Sequence, residues 1–146
     1  MLNYVAVAIG SALGGVSRYG VTLIAAEWLG DGFPWGTILI NIGGSFVIGF
    51  FATLTRPEGR WLVAPALRLF VMVGLCGGYT TFSSFSLQTY ALLRQGAWLG
   101  AFANVGLSIA LCLLAVWLGH VGAAALTRPT EIPAGEPALG GTAPKD

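Results

Sequence analysis

Residues 74–86 read Gly-Leu-Cys-Gly-Gly-Tyr-Thr-Thr-Phe-Ser-Ser-Phe-Ser, in the middle of a run that is otherwise apolar and long enough to cross a membrane. Gly74, Gly77 and Gly78 weaken a helix there, each by about 1 kcal/mol relative to alanine in a helix interior. Thr80, Thr81, Ser83, Ser84 and Ser86 come next, and their hydroxyls compete for the backbone's own hydrogen bonding. The stretch predicts a membrane helix broken near its middle. Unsatisfied amides and carbonyls cost several kcal/mol each in lipid, so such a break survives only where protein covers it or where it lines a wet cavity.

The rest of the chain supports a membrane setting. Of its 146 residues, 55% are hydrophobic and 9% charged, and the mean hydropathy is +0.78. Those proportions belong to a membrane protein rather than a soluble domain. A spanning helix needs about 20 apolar residues, and four such runs occur, at residues 2–28, 36–54, 67–93 and 97–121. They predict an all-α membrane domain over residues 1–126. The first run has no Lys or Arg before it and is too long for a signal-peptide core, so it is expected to remain in the mature protein. From 127 to 146 the chain is rich in Pro, Gly, Ala and Thr without an apolar period, as expected of a disordered polar tail. The net charge of +1 provides no basic field for nucleic acid. Cys76 and Cys112 lie inside predicted spans without metal-ligand spacing and read as packing residues.

Polar residues inside the runs are few. Gly10 and Gly14 in the first run form a Gly-x-x-x-Gly that lets another helix approach closely, and they read as packing. Arg18 is costly inside a span unless it reaches the interface. Two roles stay open for it, interfacial anchor or attractor of anions to a vestibule. Trp28, Phe33 and Trp35 flank a turn-rich link and read as an interfacial belt. Asn41 lies near the centre of the second run, with Gly44 and Ser45 on its own face. It serves either a helix–helix hydrogen bond or a pore as an amide donor. In the fourth run Asn104, Ser108 and Cys112 recur at helical spacing, either as a packing seam or as a ladder of donors along water. His120 is placed at the interface. Arg56, Arg60, Arg68 and Arg128 fall on the side of both termini, which the positive-inside rule assigns to the cytoplasm.

These residues exclude some chemistry and suggest other chemistry. No acidic pair lies in a span and no Ser/His/Asp set is visible, so catalysis is not expected. The span interiors carry mostly donors and no central carboxylate, which suits an anion path. Phe82 and Phe85 share a helix face, and an aromatic ring edge carries positive charge that meets a small anion without holding it tightly. Unwound carbonyls at residues 77–80, beside the negative end of a half-helix, offer a place for a small cation. One chain supplies few such ligands, so two chains are expected to share that site on a symmetry axis.

Three motifs carry a family resemblance. Gly-x-x-x-Arg-Tyr at residues 14–19, Pro-x-Gly-Thr-x-x-x-Asn-x-x-Gly-Ser-Phe at 34–46 and Gly-x-Cys-Gly-Gly-x-Thr-Thr-Phe-Ser-Ser-Phe-Ser at 74–86 resemble the CrcB/Fluc fluoride channels. The resemblance covers all four runs and leaves only the tail outside. It implies an antiparallel, dual-topology homodimer of four-helix subunits in the bacterial inner membrane, with two fluoride pathways and a central structural Na+ that is not transported. On this chain it implies that Gly77 and Thr80 give sodium their backbone carbonyls and that Phe82 and Phe85 line the pathways. Asn41 becomes the pore amide, Ser108 part of a polar track in which Cys112 replaces a hydroxyl, and Arg18 a vestibule residue. The implied activity is passive export of toxic cytoplasmic fluoride down its electrochemical gradient. Two alternatives are a proton-coupled four-helix exporter, for which Glu27 is the nearest carboxylate, and a non-transporting membrane assembly subunit.

Overall fold

Long apolar runs can satisfy their backbone in lipid only as helices or closed barrels. The computed structural model, which describes residues 1–56 and 61–127, contains helices and no strand among those residues. Helix α1 (Leu2–Leu29) is followed by α2 (Trp35–Leu54), with Gly30 at φ 74° supplying the turn between them. The third segment is composite. It runs through α3 (Pro65–Leu69), a π-helical turn (Phe70–Leu75), α4 (Cys76–Tyr79) and α5 (Phe82–Arg94). Helix α6 (Trp98–Thr127) completes the chain. Among the described residues four segments are long and apolar enough to cross a membrane: α1, α2, Pro65–Arg94 and α6.

Two ends differ from the sequence reading by more than one residue. The third segment starts two residues early because Pro65, which lacks an amide proton, fits the first turn of a helix. The fourth continues past 121 through alanines that favour helix, and the Thr127 hydroxyl closes it by donating to the Ala123 carbonyl at 3.1 Å. Residues 57–60 of the second link, including Arg60, and nearly all of the tail lie outside the described residues.

Packing divides the molecule into two pairs. Helix α1 lies chiefly against the π turn and α4. A Cβ on Gly10 would come within 2.5 Å of the Phe70 carbonyl, and one on Gly78 within 2.5 Å of the Ser11 carbonyl. The Gly-x-x-x-Gly of α1 is therefore a packing surface, as read from sequence, and Gly74 and Gly78 are its counterpart. The π turn is absent from the sequence reading, and it occurs where the backbone of α1 presses against it. Such turns insert one residue into a helix and re-aim the segment beyond them. Helices α2 and α6 form the more extensive pair. A Cβ on Gly49 or Gly119 would collide with the carbonyl of Val116 or Phe46 respectively. Near the ends of this pair, His120 Nδ1 lies 2.9 Å from the Thr53 hydroxyl, which itself donates to the Gly49 carbonyl. His120 is thus a bridge between α2 and α6, beyond the interfacial role expected of it. Outward faces carry large apolar side chains such as Ile9, Leu23, Leu99 and Phe102, a surface suited to lipid.

Candidate functional site

The glycines of residues 74–86 remain helical; the backbone departs at the next two threonines. Thr80 (φ −77°, ψ 158°) and Thr81 (φ −151°, ψ 115°) are extended between α4 and α5. Their polar groups are re-bonded individually. The Thr80 hydroxyl and amide both donate to the Cys76 carbonyl at 2.9 Å, closing α4. Thr81 opens α5 as its N-cap, its hydroxyl oxygen accepting from the Ser84 amide at 3.1 Å. Ser83 and Ser84 hydroxyls gather on the same oxygen at 3.1 Å.

The remaining groups of Thr81 are met from another helix. Asn41 of α2 accepts the Thr81 amide on Oδ1 at 2.9 Å and donates Nδ2–H to the Thr81 carbonyl at 3.1 Å. A primary amide carries an acceptor oxygen and a donor nitrogen side by side, so it can meet both backbone groups of one residue. The two readings of Asn41 left open by the sequence are therefore not exclusive. One N–H of the amide is engaged in an interhelical bond, and the other is left over. Gly44, one turn on, leaves room for the Thr80 methyl group, which any Cβ there would strike.

The re-bonding has a consequence for two carbonyls. In a continuous helix the Gly77 oxygen would accept from the Thr81 amide and the Thr80 oxygen from the Ser84 amide. Instead, Thr81 N–H goes to Asn41 and Ser84 N–H to the Thr81 hydroxyl. Both oxygens have lost their helical donors.

A groove of about 470 Å³ opens along the interruption. Asn41, Gly77, Thr80, Phe82, Phe85 and Ser108 all line it. Residues from three segments, singled out in the sequence by their chemistry and by the family resemblance, thus share one surface. Cys112 lines it as well, and among the described residues no charged one does. The Phe82 and Phe85 rings lie 5.4 Å apart between centroids at 45°, and Phe82 is 79% exposed in the single chain. Ser108 lines the groove but is only 6% exposed, and its hydroxyl oxygen is buried without a partner. Donors and ring edges without a fixed charge can attract a small anion while holding it loosely.

Other expected residues lie elsewhere. Arg18 is half-buried on α1 and is not part of the groove lining. Asn104 is fully buried and does not line the groove either; its Nδ2 donates to the Thr89 hydroxyl at 2.8 Å. Glu27 is exposed at the end of α1, away from the groove. The Phe33 and Trp35 rings pair at 4.8 Å in the α1–α2 link. Thr89 does not stand out in the sequence, although its spacing of four from Phe85 is a signal for back-bonding to that carbonyl.

The chain is similar to known proteins over most of its length. A family model described as "CrcB-like protein, Camphor Resistance (CrcB)" matches residues 5–120. The chain belongs to the CrcB family. Among its relatives, a protein of Methylocella silvestris is 59% identical over 127 residues, covering 87% of this chain and 97% of the relative. One of Paramagnetospirillum magneticum is 57% identical over 88% of this chain and 100% of its own length. A third, of Opitutus terrae, is 57% identical over 86% of this chain and 96% of its own. Each is named "Fluoride-specific ion channel FluC". The CrcB match takes in all four apolar segments and every groove residue named above, and with those segments it makes the chain a multi-pass membrane protein.

Proposed function

We propose that the protein is a fluoride-selective channel that lets toxic cytoplasmic fluoride leave passively across a bacterial inner membrane. The observation that carries this reading is the uncharged groove that collects the Phe82 and Phe85 rings, the Asn41 amide and the Ser108 hydroxyl beside the interruption. Relatives at 57% to 59% identity carry the fluoride-channel name over nearly their whole length. Hydrogen fluoride crosses membranes as a neutral acid and dissociates inside. The trapped anion is then driven outward by the negative interior potential, so a selective pore suffices and no coupling is required.

In this mechanism the ring edges of Phe82 and Phe85 replace part of the anion's hydration, while the Ser108 hydroxyl and the spare Asn41 N–H donate to it in turn. Each contact is weak, and an ion passes only if successive sites are easy to leave. The interruption belongs to this function because it redirects α5 and brings its phenylalanines to the groove. Arg18 sits outside the groove and is assigned to a vestibule, where a positive charge raises the local anion concentration.

Two chains pair antiparallel in this proposal. The support is the pair of carbonyls at Gly77 and Thr80 whose amide donors have been diverted, together with the open space around Gly77. Among the described residues no cluster of His, Cys, Asp or Glu could hold a metal ion. Backbone oxygens suit a hard monovalent cation, and sodium held by both copies would fix the subunits across their symmetry axis. Held by the Gly77 and Thr80 carbonyls, the ion would neutralise their dipoles and serve a structural role.

The proton-coupled alternative needs a carboxylate in the path, and Glu27 is outside it. Fluoride efflux from liposomes holding only the purified protein decides between the two. A channel gives efflux that follows the membrane potential and is unchanged by Glu27→Gln or by collapse of the proton gradient. Efflux that stops with the proton gradient would remove the channel reading.

A further inference from the structure

Helix α5 carries both phenylalanines, yet none of its residues is buried. It barely touches α2 and rests chiefly on α6. Apolar packing within the chain therefore does little to fix its register, and polar bonds must do it. One anchor is the Asn41 grip on Thr81 at its start. The second lies two turns along. Asn104 Nδ2 donates to Thr89 Oγ1 at 2.8 Å, and Thr89 Oγ1 donates its single proton to the Phe85 carbonyl at 2.8 Å.

The direction of this relay is determined by proton count. A threonine hydroxyl has one proton. Since Thr89 spends its own on Phe85, it can only accept from α6, and Asn104 must present its N–H₂ end. The Asn104 Oδ1 is correspondingly left without a partner in a fully buried side chain. A bare carbonyl oxygen repels an anion, so Asn104 is unsuited to be a fluoride contact and suited to hold α5.

Building on the fluoride-channel reading, we infer that Asn104 and Thr89 are positioning residues that set where the Phe85 and Phe82 rings stand in the groove. They touch no ion. They act through the backbone of Phe85, one helical turn before Thr89.

The test is fluoride efflux from liposomes containing the full chain, with the wild type alongside. Thr89→Val keeps the shape and removes the hydroxyl; it should lower flux about three- to tenfold, the equilibrium worth of one ordinary hydrogen bond. Thr89→Ser, which keeps the relay, should restore most of the flux. Asn104→Ala should lower flux by a similar factor, and the double variant Asn104→Ala/Thr89→Val should be no worse than the weaker single, because both remove one relay. Amide exchange in α5 should speed up in both single variants while α1 is unchanged, which extends the test to any variant with too little flux to measure. Wild-type flux and unaltered α5 exchange in Thr89→Val, or single losses that multiply in the double variant, would overturn the inference. A wild type that passes no fluoride would instead overturn the channel reading on which it rests.

Discussion

Replacing Asn41 by leucine removes both bonds that join α2 to the interruption while keeping a side chain of similar size. Interhelical side-chain bonds in membrane proteins average about 0.6 kcal/mol and reach about 1.7. Asn41 makes two, to the amide and to the carbonyl of Thr81, so the pair is worth about 1–3 kcal/mol. That shifts the balance between a held and a released interruption about five- to 150-fold. With Thr81 released, its amide is again free to close a helix onto Gly77, which would carry the Phe82 and Phe85 rings away from their present place. Fluoride flux per reconstituted protein should fall by that order, and the thermal midpoint in detergent should drop by several degrees. Asn41→Asp separates the loss of a bond from the effect of charge. It keeps the acceptor for the Thr81 amide and loses the donor, so its midpoint should fall less. Its carboxylate in an otherwise uncharged groove should nevertheless abolish flux. Wild-type flux and an unchanged midpoint in Asn41→Leu would refute the reasoning.

Three further outcomes are expected. Phe82→Ile and Phe85→Ile should each reduce fluoride flux about two- to tenfold, the scale of one aromatic edge contact, with an unchanged elution profile; undiminished flux in both would exclude the rings from the path. Complete replacement of sodium by a large organic cation should silence the protein and return of sodium should revive it, whereas full activity without sodium would remove the cation site at Gly77 and Thr80. Gly119→Val should destabilise the α2–α6 pair by about 1–3 kcal/mol through overpacking against the Phe46 carbonyl, while Gly106→Val, around which a Cβ meets nothing within 4 Å, should leave the thermal midpoint unchanged.

How much of the structure is legible in the sequence depends on the range of each force. The four membrane segments rest on local apolar content, and their ends fall within two residues of where composition places them except at the end of α6, which runs on to Thr127. The importance of residues 74–86 is equally visible, because glycines and hydroxyls are out of place in a lipid span. Their division of labour is not. By propensity Gly74 and Gly78 weaken their own helix, but their effect in the fold is to admit the backbone of α1, more than 60 residues earlier. The bonds between Asn41 and Thr81, and between Asn104 and Thr89, span 40 and 15 residues. Neither has a signature beyond the presence of an amide that needs a partner. The π turn at Phe70–Leu75 has no composition cue, since it answers contact with α1. For Asn104, helical spacing correctly puts it on one stripe with Ser108, but only the direction of the Thr89 proton separates a groove donor from a buried brace.

The central claim is that one uncharged groove passes fluoride and little else. Its most direct measurement is the efflux of fluoride against chloride from liposomes containing only the purified protein, with an imposed membrane potential and no proton gradient. Rapid, potential-driven fluoride efflux with no measurable chloride efflux is the predicted result. Equal passage of both anions, or no passage of fluoride, would contradict it.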